Sequence, residues 1–239
     1  MAKRKHAPQR RADSLSKDRI IEASIALLDK SGESGLTFRA IAKRLSTGAG
    51  AIYWHVANKS ELLTAVCDTV VARTIEASLT GGRPQARIRN LALGLFDAID
   101  AHPWVGSALT HAPGRLPMVR ILEGLGQQVC ALGVSPEYQW AAVGALLNYI
   151  LGVGGRNAAN GQFARARGLD RSDFLNAVAT AWSQLDQESF PFTRSVAGQV
   201  RMHDDRADFI AGIDLILRGI SRQRSVLHGS KSSPKGTDG

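Results

Sequence analysis

The side chains between residues 36 and 59 are better suited to holding a polyanion than to covalent chemistry. Arg39, Lys43, Arg44 and Lys59 are cationic, Thr37 and Thr47 offer hydroxyls, and Tyr53 and His55 add a phenol and an imidazole. Gly48, Ala49, Gly50 and Ala51 form a run with almost no side chain, so backbone there can come close to thymine methyls or phosphates. Catalytic motifs are missing: the chain has no GxSxG, P-loop, HExxH or strand-following GxGxxG. Cys67 and Cys130 lack any CxxC or Cys/His spacing, which argues against a zinc site or a disulfide framework. Both read as small core residues in a reducing compartment, and no metal or cofactor is expected.

The charge distribution agrees with a polyanion partner. The net charge is +9, and residues 1–60 carry twelve Lys and Arg against five Asp and Glu, while the other 179 residues carry 18 against 16. The excess therefore sits at one end, as expected for a segment that meets nucleic acid, and the remainder has the balance of an ordinary globular body. The basic start lacks a following apolar run, and the most apolar segment, 141–153, is too short to span a bilayer. A cytoplasmic protein without membrane contact is the expectation.

Apolar residues recur at helical spacing almost throughout, which predicts an all-α fold. Ser16 is placed to cap a first helix that Ser31 and Gly32 end. Thr37 caps a second over 38–45, Ala49 to His55 forms a short third, and Asn58 caps a long one over 59–79. Further helices are expected near 84–101, 103–112, 116–132, 136–154, 172–185 and 204–220. The Gly-, Arg- and Asn-rich stretch 154–168 reads as a mobile loop and 188–203 as irregular. The organisation is then a disordered basic arm over 1–15, a three-helix DNA-binding head over 16–60, a helical ligand-binding and dimerisation body over 61–220, and a disordered tail over 221–239. The arm cations Lys3, Arg4, Lys5, Arg10 and Arg11 are suited to a minor groove or simply to solvation.

Two short helices joined by a Gly-containing turn, after a longer supporting helix, make a helix-turn-helix arrangement. The string LTFRAIAKRLSTGAGAIYWHVANKSELL, from Leu36 to Leu63, closely resembles the head of the TetR family of repressors. The resemblance implies that Arg39 reads a guanine and that Tyr53, His55 and Lys59 touch phosphates. Thr37 and Thr47 are expected to donate hydroxyls to the DNA backbone, and Gly48, Ala49 and Gly50 to lie against the duplex. Trp54 and Val56 are expected to pack inside.

The segment 136–154 is apolar nearly all round, and 204–220 carries Phe209, Ile213, Ile216, Leu217 and Ile220 on one stripe. Both need cover on two sides, which a homodimer seam built from these two helices supplies. The string DFIAGIDLILRGI resembles the closing helix of the tetracycline-responsive members of the family. Trp104, His111, Arg115, Asn148, Tyr149, Arg156 and Trp182 are polar or aromatic groups among apolar helices, the composition of a ligand cavity, although each also suits a core or surface role. His111 and Arg115 have the spacing of the His and Arg that in those members bind drug-chelated magnesium and border the pocket. Arg156 and Ile75, however, fall where those members carry an acidic group and a drug-binding His. The departure argues against a cation site and for an anionic or carbonyl-bearing ligand.

The resulting expectation is a ligand-responsive transcriptional regulator, a repressor that binds a palindromic operator in double-stranded DNA as a homodimer and is released by a small-molecule inducer. Two alternatives remain open at this stage: a nonspecific nucleoid-type DNA-binding protein, and an enzyme with an accessory DNA-binding head.

Overall fold

A computed structural model describes residues 15–111 and 114–229, with side chains through Arg222. Among the described residues there is no strand, and eleven helices follow one another along the chain. The basic arm expected over 1–15 lies outside the described residues apart from Leu15.

The first three helices form the head. Helix α1 (Lys17–Gly35) starts where Ser16 accepts the Arg19 N–H, and buries Ile20, Ile21, Ala23, Ser24, Ile25 and Leu28 along one face. The expected stop at Ser31 and Gly32 is instead a kink: Gly32 takes φ 62° and one more turn runs to Gly35. Helix α2 (Phe38–Arg44) starts at Thr37, whose Oγ1 accepts the Ala40 N–H at 3.1 Å. The turn into α3 (Ala49–Tyr53) is tight, with Ser46 at φ 51° and the Thr47 N–H on the Ala42 carbonyl at 2.9 Å. An L-residue in that left-handed region costs ~1–2 kcal/mol. Ser46→Gly is therefore expected to raise stability by ~0.5–1 kcal/mol, part of the relief being offset by glycine's greater unfolded-state freedom. The check is the urea midpoint, with Ser46→Val moving it the other way.

Ile20, Leu36, Ile41, Ile52, Val56 and Leu62 close the head's core. Trp54, expected inside, is 91% exposed. Ile52 and Val56 sit four apart and take the inward positions, so the residue midway between them is turned to solvent.

Helix α4 (Lys59–Ser78) leads from the head into the body. Asn58 Oδ1 accepts the Glu61 N–H at 2.8 Å, and Glu61 Oε2 takes the Ala57 N–H at 3.1 Å. The body continues with α5 (Pro84–Ala101), α6 (Pro103–His111), α7 (Leu116–Ala131) and α8 (Pro136–Ala166). Helices α4, α5, α7 and α8 pack against one another, and α11 (Asp205–Gly229) closes over α5 and α8. Fully buried Ile88, Leu91, Leu95, Ile99, Ile121, Leu125, Leu146 and Phe209 fill the space between them.

Helix α8 corrects the expected loop over 154–168, because it runs for 31 residues without interruption. Its glycines read as breakers, yet at Gly154 an added Cβ would stand 3.3 Å from Ile99 Cδ1. That glycine lets α5 approach rather than ending the helix. The irregular stretch expected over 188–203 contains α10 (Pro191–Val200), which follows α9 (Arg171–Ser183) and packs on it. Pro191 occupies the first turn, where its missing N–H has no helical partner to lose. The tail expected from residue 221 is helical through Gly229, and the rest lies outside the described residues. Cys67 is buried, and burial, with Asp68 adding to it, pushes its thiol up to about 12. Cys130, expected in the core, is exposed. No helix among the described residues is long and apolar enough to cross a membrane.

Candidate functional site: a nucleic-acid interface coupled to a helical body

The head turns its small and polar residues outward. Thr37, Arg39, Gly48, Gly50, Tyr53 and Lys59 are exposed, and Thr47, Ala49 and His55 are half-buried. Tyr53 is held by Phe38, whose ring meets it edge-on at 4.5 Å. Thr37 uses an oxygen lone pair for its cap and keeps its hydroxyl proton to donate. The Lys59 ammonium donates to the Glu33 carbonyl, which holds it at the α1–α4 corner. Nothing lies within 4 Å of a Cβ built on Gly48 or Gly50. Internal packing therefore does not demand glycine at either position, whereas a duplex lying against the start of α3 would need the room.

Two carboxylates of α1 tie the head to the body. On α1, Asp29 Oδ1 accepts the Trp104 Nε1–H at 2.8 Å and faces His102 Nδ1 at 2.7 Å. A carboxylate only accepts, so the imidazole proton in this contact belongs on Nδ1. Both donors belong to the α5–α6 junction, and Trp104 is otherwise buried. A second tie joins Arg73 of α4 to Glu22 of α1.

The seven body residues singled out by sequence do not converge. Tyr149 and Arg156 share a cleft of about 100 Å³ with Phe96, Asn160, Phe174 and Asp208. Tyr149 Oη donates to the Phe209 carbonyl at 3.3 Å, and its ring stacks on Phe209, which stacks in turn on Phe96. Burial raises the Tyr149 phenol, and Arg156 opposes that shift. Trp104 lines a separate cleft beside Asp29. His111 is exposed with Nδ1 2.7 Å from the Ser107 carbonyl, and Arg115 is exposed at the start of α7. Asn148 is exposed on α8, and Trp182 is half-buried on α9.

The model for "Bacterial regulatory proteins, tetR family" matches residues 20–66, the span from α1 into α4. The solved transcriptional regulator SCO7222, a TetR from Streptomyces coelicolor, is 49% identical, superposes with a TM-score of 0.79, and covers 87% of this chain and 99% of its own. The chain belongs to the TetR family. Another TetR relative, the class D tetracycline repressor protein of Escherichia coli, is 25% identical over 218 residues, which are 89% of this chain and 92% of that protein. Apo ActR from Streptomyces coelicolor shares the TetR fold at a TM-score of 0.70 and 22% identity, covering 87% of this chain and 95% of its own. TetR proteins are ligand-responsive transcriptional regulators, and the helix-turn-helix of this one is its DNA-binding element.

Two features of this TetR chain escaped sequence reasoning. Asp29 reads as one more solvated acid on a helix, and only the meeting of α1 with the α5–α6 junction gives it two donors. Gln128 reads as a polar residue of α7, yet it is 5% exposed and, among the described residues, its Oε1 has no hydrogen-bond partner. Its place four residues after Gly124, on the apolar face of α7, was the available signal.

Proposed function

We propose that the chain is a homodimeric repressor that binds a near-palindromic operator through two heads and lets it go when a small molecule occupies the body. The observation that carries this reading is the outward face of α2 and α3, where Arg39, Thr47, Tyr53 and the unfilled space beside Gly48 and Gly50 lie together. Arg39 is assigned to a guanine, and Thr37, Thr47, Tyr53, His55 and Lys59 to the phosphate backbone.

Support for a dimer comes from an uncovered stripe. On α8, Ala141, Ala145, Asn148 and Gly152 recur at helical spacing and are exposed, next to Trp140 at 74% exposure. On α11, Ala211, Leu215 and Gly219 do the same. The two helices cross where Tyr149 meets Gly212, at which a Cβ would come within 1.9 Å of the phenol oxygen. Pairing both stripes with their symmetry mates covers them and sets two heads about one turn of DNA apart, ~34–36 Å. For the effector we favour the cleft of Tyr149 and Arg156, with a carbonyl or an anionic group on the guanidinium. At about 100 Å³ it must open to admit a ligand.

Selection of genomic fragments by the purified protein, followed by footprinting, tests the reading. The expected result is a protected inverted repeat and a dimer in solution. Arg39→Ala should relax preference at one base pair per half-site by ~1–3 kcal/mol, and Lys59→Ala should weaken all duplexes alike with a shallower salt dependence. A monomer at working concentration, or equal binding to bulk competitor DNA, would refute it; the latter outcome is that of a nonspecific nucleoid protein.

A further inference from the structure

A groove of about 630 Å³ lies between the start of α5 and the later turns of α11, and it is lined by Arg83, Arg89, Arg218 and Arg222. These cations come from segments more than 120 residues apart in the chain and are gathered by the fold, with Asp214 the only acid on the lining. Asp214 is already engaged, because Arg89 Nε donates to its Oδ1 at 2.5 Å. Among the described residues, the side chains of Arg83, Arg218 and Arg222 make no hydrogen bond or ion pair. Arg218 and Arg222 stand four apart on one helix, a like-charge spacing that disfavours the helix unless an anion lies between them.

Two further features face the same space. Helix α5 begins at Pro84 without a side-chain cap, and Gln85 and Ala86, whose N–H groups have no helical acceptor, line the groove. Ser221 adds a hydroxyl to the lining, although it currently donates to the Leu217 carbonyl at 2.9 Å. The groove lies at the start of α5, whereas the contact with α1 is made just past the opposite end of that helix, by His102.

We propose that this groove is a second, anion-binding site for a small molecule bearing a chain of phosphates. Guanidinium forks match phosphate oxygens two at a time, and three forks with no partner among the described residues are more than a single carboxylate or monophosphate can occupy. A di- or triphosphate places successive charges along a groove of this size, with the uncapped α5 amides on one of them. A nucleotide and a free polyphosphate share this chemistry. The proposal is independent of the operator and of the effector cleft, neither of which uses these residues.

Titration calorimetry on the full-length protein, without divalent ions and at fixed ionic strength, tests it with sodium tripolyphosphate and with ATP. Both should bind the unaltered chain, and Arg83→Gln/Arg218→Gln/Arg222→Gln should weaken them by about tenfold or more. The single variant Arg218→Gln, which disturbs the fold least, should show part of the loss. Affinity for ATP above that for tripolyphosphate identifies a nucleotide; equal affinities identify the phosphate chain alone. Unchanged binding by the triple variant overturns the proposal, as does uptake no stronger than that of sulfate at the same ionic strength. Loss of random-duplex binding in the triple variant with tripolyphosphate uptake intact overturns it too, and makes the groove a DNA contact.

Discussion

Gly50→Leu is expected to leave the protein folded and to cost it roughly a hundredfold in operator affinity, about 2.8 kcal/mol. The position lies inside α3, exposed, with no atom within 4 Å of where a Cβ would stand. Leucine is the better helix former by up to ~1 kcal/mol, so thermal stability should hold or rise. The same side chain then occupies the space assigned to the duplex, and the start of α3 can no longer approach base edges. Circular dichroism melting and fluorescence anisotropy with a labelled operator, run on one preparation, separate the two effects. A variant that binds as tightly as the parent would show that this end of α3 faces elsewhere.

Asp29→Ala should loosen the head from the body. The substitution removes the acceptor of a buried indole N–H, and a buried donor left without a partner costs ~1–3 kcal/mol. It also releases His102 from the same oxygen. Amide exchange should accelerate along α1 while the core turns of α8 keep their protection, and Asp29→Asn should recover part of the loss because its carbonyl oxygen still accepts. The functional counterpart follows from linkage. A ligand weakens DNA binding only as far as the body's two states hold the head differently, typically by ~1–3 kcal/mol. With the carboxylate gone, the response of repression to effector should shrink even if the effector still binds. If the response stays full and the melting curve is unchanged, Asp29 is not one of the ties.

Local rules made the head readable because its signals are short-range. Ser16, Thr37 and Asn58 each precede an apolar period, and each accepts the backbone N–H that capping predicts. The body misled wherever a residue's local habit was overridden by a distant neighbour. Gly154 looks like a break until Ile99 is seen against it, and Pro191 looks like an interruption until it is placed in the first turn of α10. Trp54 looks like core by composition, but the register of Ile52 and Val56 turns it outward. The candidate effector residues were the least legible. A cavity is a relation among helices, and of the seven residues singled out only Tyr149 and Arg156 come to one cleft. The Arg83, Arg218 and Arg222 groove leaves no trace in the chain order, since its parts meet only after α11 closes on α5.

The open space beside Gly48 and Gly50 bears on how such a protein changes over generations. No atom inside the molecule lies within 4 Å of a Cβ at those positions, so with the duplex placed there as proposed, a substitution would change the contact with DNA and leave the scaffold in place. After gene duplication, one copy can acquire new targets in a few steps while inheriting its sensor intact.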